Sequence, residues 1–387
     1  MKTKLFILFI SSTIALIAQE KTNKKESEYR FTTIKNIEAT PVQNQNMTST
    51  CWSFSALSFF ESEIIRLGKG KDYNLSEMFI VRKSYAQKAD NYIRMHGKTN
   101  FGEGGEFSDA LNVLKNYGLM PEEIYTGKKD INFPHNHKVL ETNLKKIIQT
   151  ASLDETDKID FDFLHDSVNT VCDEFLGKTP DNFEYKGKSY TAKSYAESTG
   201  LNPDDYIFIT SFNHHPFYSK FVLEVPDNWN WESMYNLPIN ELQEVMSYAI
   251  NKGYSIAWAA DVSEKGFLYT DGLAINPEKP ISNMSNEEKK KLSIKPHKQL
   301  DINQDIRQKA FDNFETQDDH GMHIVGLVKD QLNTPYYLVK NSWGKERNQC
   351  DGYFYASESY VLFKTTNIMI NKNALAPIIA KKLGIIQ

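Results

Sequence analysis

Apolar residues recur at spacings of three and four through Trp52, Ala56, Phe59, Phe60, Ile64 and Leu67. That spacing predicts a helix from about Cys51, with Ser49 or Thr50 to cap it and Gly68 to end it. A second helix is expected from a cap at Asn74 or Ser76 to about Met95, and a third over Glu106 to Tyr117, closed by Gly118. Gly102, Gly104 and Gly105 make the loop between them. Val139 to Thr150 reads as a fourth helix, and the rest of 140–235 has no clear period. From Pro238 the pattern sharpens again. Ile239 to Asn251 reads as an amphipathic helix stopped by Gly253, and Tyr254 to Val262 as a strand. Phe267 to Tyr269 leads to a turn at Asp271-Gly272. Residues 277–318 form a charged insertion with a helix around Ile306 to Phe314. Met322 to Val328, Tyr336 to Lys340 and Gly352 to Tyr355 read as strands. The fold class is therefore α+β, a helical N-terminal lobe and an antiparallel β C-terminal lobe with insertions, and a cleft between them. Residues 20–36, polar and charged, read as a flexible lead-in.

The 387 residues are 40% hydrophobic and 25% charged, ordinary globular material. A net charge of -5 gives no support for a nucleic-acid partner. Lys2 and Lys4 precede the apolar run Leu5 to Ala18, in which Ala15 and Ala18 are small enough for cleavage. Residues 1–19 thus read as a secretory signal, which implies export to a periplasm or the outside. The run is too short to span a bilayer, and no later segment is a membrane span. Three cysteines are an odd number for an exported chain. With Cys51 free, Cys172 and Cys350 could pair. His135-x-His137 and His214-His215 lack cysteine or carboxylate partners at ligand spacing, so no metal and no cofactor is expected.

Cys51 carries the candidate chemistry. A thiol in the first turn of a helix feels the positive end of the macrodipole, which favours the nucleophilic thiolate. Gln45, six residues upstream, offers an amide to a developing oxyanion beside the Cys51 N–H. A base and an orienter are also needed. Asp319-His320-Gly321-Met322-His323 opens one strand, and Lys340-Asn341-Ser342-Trp343-Gly344 ends the next. Antiparallel pairing could set Asn341 beside His320, its oxygen aiming the ring at sulfur. Trp343 could shield that bond and border the substrate. His323 is the rival base, but alternation puts positions 320 and 323 on opposite faces. Gly104 and Gly105 could let a substrate backbone come close. No phosphate-loop pattern surrounds them. Taken singly, each residue has an ordinary structural reading: a buried cysteine, a core histidine, a tight turn.

Together these stretches resemble the papain-like cysteine peptidases, and within them the bleomycin hydrolase/aminopeptidase C branch. The resemblance rests on Thr40-Pro41-Val42-Gln43-Asn44-Gln45, Cys51-Trp52-Ser53-Phe54-Ser55, Asp319-His320-Gly321-Met322 and Lys340-Asn341-Ser342-Trp343-Gly344. Tyr235 to Ile239 and Trp258 to Val262 point to the branch. The resemblance implies a peptidase domain over 37–372 and a tail over 373–387. It also implies Cys51 as nucleophile, His320 as general base and acid, Asn341 as orienter and Gln45 as oxyanion donor. In the family pattern the histidine lies six residues before a strand glycine, here Gly326. Peptides are the implied substrates, aminopeptidase action the implied activity, and a hexamer the implied assembly. Thr48 stands where papain relatives carry a cysteine, so one of their disulfides is absent. Insertions at 140–235 and 277–318 lengthen the Cys51–His320 separation. Branch members end in an arm that lies in the cleft. Asn371 to Gln387 is short for that arm, though a Gln387 carboxylate that reached the cleft could meet a substrate ammonium. The alternatives are an endopeptidase with an open cleft, an inactive peptide-binding protein and an acyltransferase.

Overall fold

The protein is described here by a computed structural model over residues 21–153 and 160–385. The expected signal and the Gln387 carboxylate lie outside the described residues.

The chain enters through β1 (Thr32–Asn36), and a turn over Gln45–Thr50 delivers it to α1 (Cys51–Arg66). Thr50 stands at the N-cap, yet its hydroxyl makes no capping bond and instead shares a 2.7 Å hydrogen bond with Thr48 Oγ1. Ser76 caps α2 (Glu77–Arg94), its hydroxyl accepting from the Phe79 N–H at 3.0 Å. α3 (Phe107–Tyr117) ends at Gly118, whose φ of 90° and a carbonyl 2.3 Å from any added Cβ admit only glycine. α4 (Lys138–Leu153) and α5 (Phe161–Leu176) complete the helical lobe. Its core gathers Trp52, Phe60, Phe79, Val113, Leu144 and Val168.

A hairpin, β2 (Phe183–Tyr185) and β3 (Lys188–Tyr190), leads to α6 (Ala192–Thr199). Then come β4 (Tyr206–Thr210), β5 (Lys220–Val222), β6 (Ser233–Asn236), α7 (Ile239–Lys252) and β7 (Ile256–Ala260). β8 (Phe267–Leu268) and β9 (Leu273–Ala274) flank the Gly272 turn, and α8 (Asn286–Lys291) and α9 (Gln304–Asp312) occupy the charged insertion. The chain closes with β10 (His320–Lys329), β11 (Pro335–Lys340), β12 (Tyr353–Ser357), α10 (Glu358–Lys364), β13 (Thr365–Asn371) and α11 (Pro377–Lys382). Among the described residues one sheet runs β5-β6-β4-β13-β7-β10-β11-β12-β9-β8, with β1 beside the far half of β10. Long β10 is the hub. It takes β7 along His320–Ile324, β1 along Gly326–Lys329, and β11 on its other edge.

Several expectations need correction. The expected flexible lead-in over 20–36 is ordered in its described part, residues 21–36. Tyr29 and Phe31 are buried, Phe31 stacks on Tyr355 at 3.9 Å, and β1 pairs with β10. Two buried aromatics inside a charged run give no periodic signal. β13, central in the sheet, was not expected either. Its buried positions include Thr365, Asn367 and Asn371. They are bonded from outside the strand: Thr365 Oγ1 accepts from Trp258 Nε1 at 2.7 Å, Asn367 Nδ2 donates to Glu106 Oε1 at 3.0 Å, and Asn371 Nδ2 donates to Glu63 Oε2 at 2.9 Å. α5 also escaped, although Leu164, Val168, Cys172 and Leu176 repeat every fourth residue.

Candidate active site

Cys51, half-buried, is the first residue of α1. The N–H groups of Gly321 and Trp52 hydrogen-bond its sulfur. Gly321 follows His320 directly, so the start of β10 touches the start of α1. That approach requires glycine, since a Cβ there would stand 2.7 Å from Ser55 Oγ and 3.2 Å from Trp52 Cα.

His320 is buried, and its Nε2 lies 2.7 Å from Asn341 Oδ1. The same Oδ1 accepts from the Ser342 N–H at 2.8 Å, which fixes the amide with oxygen toward the ring. The neutral imidazole therefore carries its proton on Nε2 and keeps a lone pair on Nδ1. Trp343 covers the ring, centroids 4.7 Å apart, and is itself walled by Tyr269 at 4.8 Å and Phe267 at 6.0 Å. Asn341 Nδ2 has a weakly formed contact to the Tyr269 hydroxyl.

Gln45 is buried and held at both ends of its amide. Oε1 accepts from Ser342 Oγ at 2.7 Å, and Nε2 donates to Thr48 O at 2.7 Å. One amide hydrogen remains free to donate. Its own backbone N–H bonds Ser342 O at 2.8 Å, so the Asn341 turn positions Gln45 as well as His320. The Cys51 N–H, in the first turn, has no intrahelical acceptor.

Electrostatics departs from one expectation. Burial pushes the Cys51 thiol up to about 12, opposed by the Gly321 N–H and reinforced by Asp227 and Asp318. Burial also pulls His320 down to about 4, opposed by Asn341. The helix N-terminus alone does not yield a thiolate here, because burial costs more than the macrodipole returns. Neither charge is stable alone.

His323 turns the other way. Its Nδ1 lies 2.8 Å from Ser58 Oγ, midway along α1, and Phe59 meets its ring edge-on. Burial holds it far below the usual imidazole range. It has no contact with Asn341 and is a core residue.

The glycine loop is lined by the chain's own groups. A Cβ on Gly104 would stand 2.3 Å from Asp227 Oδ2, and one on Gly105 2.3 Å from Asp109 Oδ2 and 3.1 Å from Trp52. Trp52 Nε1 donates to Glu103 O at 2.9 Å, and Glu103 Oε2 accepts from the Ser49 N–H at 2.7 Å. Glu103 therefore anchors the turn before Cys51. Nothing in the local sequence marked it except its place between Gly102 and Gly104.

Other expected features resolve as follows. Cys172 and Cys350 are both free. Cys172 is buried in α5, and Cys350 Sγ lies 3.0 Å from Asn23 O. His135 and His137 are buried, and burial lowers them to about 3 and about 4. The His135 carbonyl accepts from the Met47 N–H at 3.1 Å, another brace behind the nucleophile turn. His214 and His215 do gain a carboxylate, contrary to the spacing argument. The β4–β5 connection folds back, and Glu224 receives both Nε2 atoms at 3.1 and 2.8 Å. Gln308 Oε1 accepts from the Asn213 N–H at 2.7 Å, so its Nε2 donates to His214 Nδ1 at 3.0 Å. That puts the His214 proton on Nε2, the tautomer for a hydrogen bond to Glu224 rather than for a ligand atom. No helix among the described residues is long and apolar enough to cross a membrane.

Residues 9–384 match the family described as the Peptidase C1-like family. Aminopeptidase C of Lactococcus lactis subsp. cremoris is 22% identical over 373 residues, which cover 87% of this chain and 81% of that protein. Bleomycin hydrolase of Gallus gallus is 21% identical over 382 residues, again 87% and 81%. The crystal structure of PepW from Lactobacillus rhamnosis HN001 has the same fold, with a TM-score of 0.69 at 18% identity over 91% of this chain and 84% of that one. With a match over nearly its whole length, the chain belongs to the Peptidase C1-like family of cysteine peptidases.

Proposed function

We propose that the protein is an aminopeptidase that removes N-terminal residues from peptides through a thioacyl-enzyme. The observation that carries the proposal is the assembled set at the α1–β10 junction. Asn341 Oδ1 takes the Nε2 proton of His320 at 2.7 Å, and Gly321, the next residue, binds the Cys51 sulfur. His320 Nδ1 accepts the thiol proton as sulfur attacks the peptide carbonyl. The free Gln45 amide hydrogen and the Cys51 N–H receive the oxyanion. His320 then gives its proton to the leaving amine, the C–N bond breaks, and the thioester remains. Water, deprotonated by the same Nδ1, releases the acyl group as a carboxylate and returns the proton to sulfur. Trp343 keeps solvent from the His320–Asn341 bond, and the Gly104–Gly105 loop borders the acyl side of the cleft. The name of one relative, aminopeptidase C, supports action at the N-terminus. Export after loss of residues 1–19 is part of the proposal and rests on the residue pattern, with mass spectrometry of the mature N-terminus as its check.

Hydrolysis of a fluorogenic amino-acid amide, compared with its N-acetylated twin, tests the reading. Wild type is expected to cleave the free amine and Cys51→Ala neither. Faster cleavage of the acetylated twin would make the protein an endopeptidase. Full activity in Cys51→Ala would remove the mechanism.

A further inference from the structure

The loop between β5 and β6, residues 223–232, leaves the sheet edge and crosses to the helical lobe. Asn228 shapes it from within, Nδ2 donating to Leu223 O and to Glu232 O, both at 3.1 Å. Trp229 Nε1 and Asn230 Nδ2 fasten it to Asp109, at 2.7 and 2.9 Å, and Asn91 Nδ2 holds Trp229 O at 2.5 Å. The loop therefore sits rigidly over the glycine turn. Its tip carries Asp227.

Asp227 fills the space beside Gly104 that the absent side chain leaves, its Oδ2 2.3 Å from where a Cβ would be. Asn100 Nδ2 donates to Oδ1 at 2.9 Å, and the Gly105 N–H donates to the same carboxylate. The Asp227 backbone lies close enough to the Asp318 carboxyl, two residues before His320, to favour its charged form. Loop and sheet lobe thus approach each other there, and both carboxylates act on the Cys51 thiol. Asp318 Oδ2 is buried with no hydrogen-bond partner among the described residues. Lys88, the cation that acts on Asp227, gives its hydrogen bonds to the carbonyls of Gly102 and Gly104. Glu106 lies beside Asp318, held by Asn367 Nδ2 at 3.0 Å, and burial together with Asp318 keeps its carboxyl well above the usual range. Burial and mutual repulsion raise Asp318 to about 8. Asp318 Oδ2 is thus an open acceptor close to Asp227.

A peptide acylated on Cys51 extends its first residue toward the glycine loop. With Asp227 there, a second residue on that side meets the loop. A free ammonium meets the Asp227 carboxylate and the unpartnered Oδ2 of Asp318. The tail does not supply this charge in its described part. Leu375, Ile379 and Leu383 pack in the cluster around Leu242 and Met246 of α7, and Lys382 Nζ bonds Glu241 Oε1 at 2.6 Å.

We infer that the Asp227–Asp318 carboxyl pair binds the free α-ammonium of the substrate's first residue, and that the 223–232 loop limits hydrolysis to that residue. The inference rests on the aminopeptidase reading above.

The experiment measures kcat/KM for a fluorogenic amino-acid amide and for its N-acetylated twin. The proteins are wild type, Asp227→Asn, Asp318→Asn and a chain trimmed after Gly384. Each Asn variant is expected to lower the free-to-acetylated ratio by about 30-fold or more, the effect of unpairing a buried charge. The trimmed chain is expected to keep the wild-type ratio. An unchanged ratio in both Asn variants, or loss of preference in the trimmed chain instead, would overturn the assignment. Asp227→Asn keeps an acceptor for Asn100 and Gly105. Should Asp318→Asn fail to fold, Asp227→Asn alone decides. Wild type that prefers the acetylated twin would instead remove the underlying aminopeptidase reading, whatever the variants do.

Discussion

His320 and His323 stand three positions apart on one strand, and their surroundings share almost nothing. His320 meets an amide oxygen whose orientation a second N–H fixes, under an indole, and the next residue, Gly321, acts on the Cys51 sulfur. His323 meets one hydroxyl and the edge of a phenyl ring inside the lobe contact. Burial lowers both imidazoles, so a perturbed pKa does not distinguish them. The orienting acceptor and the free Nδ1 do. A histidine becomes a base through what holds its other nitrogen.

The largest effect expected from breaking this comparison is at the nucleophile and base. Cys51→Ala and His320→Ala should each lower kcat by about 10⁴-fold or more with the fold intact, read by steady-state hydrolysis and circular dichroism. Gln45→Ala removes one oxyanion donor and should lower kcat by about 10²–10³-fold with a smaller change in KM. His323→Ala should act on stability. It empties a packed site and leaves Ser58 unpaired, a loss of about 2–4 kcal/mol in denaturant unfolding, with kcat within about tenfold of wild type. The pH profile sharpens the contrast. Because His320 is lowered to about 4, its neutral, base-competent form persists below the usual histidine range. The acid limb of kcat/KM should therefore fall near pH 4 rather than near 6.5. The smallest effect is at Tyr269, whose hydroxyl only steadies Asn341. Tyr269→Phe should lower kcat by about two- to fivefold, consistent with one weak hydrogen bond.

The catalytic half was legible because its signals are local. A helix period began at Cys51, a cap-like turn preceded it, and two strand ends carried His320 and Asn341. Strand alternation alone separates His320 from His323. The loop that closes the cleft was not legible. Asp227 lies in a stretch without period. Its meaning comes from Gly104, more than a hundred residues earlier, and from Asp318, some ninety later. The same holds for β13, whose Thr365, Asn367 and Asn371 look exposed in the sequence, whereas Trp258, Glu106 and Glu63 bond them inside the fold. The thiolate expectation failed for a related reason. A helix end is visible in the sequence, whereas the burial that outweighs it is a property of the assembled lobes.

The most direct test is the rate of Cys51 alkylation by iodoacetamide at pH 6 in wild type, His320→Ala and His323→Ala. Without His320 the buried thiol keeps its proton, since burial holds it up near 12. Wild type and His323→Ala should react at similar rates, and His320→Ala about 100-fold more slowly or less. Alkylation of His320→Ala at the wild-type rate, or a selective loss in His323→Ala, would contradict the assignment of His320 as the partner of Cys51.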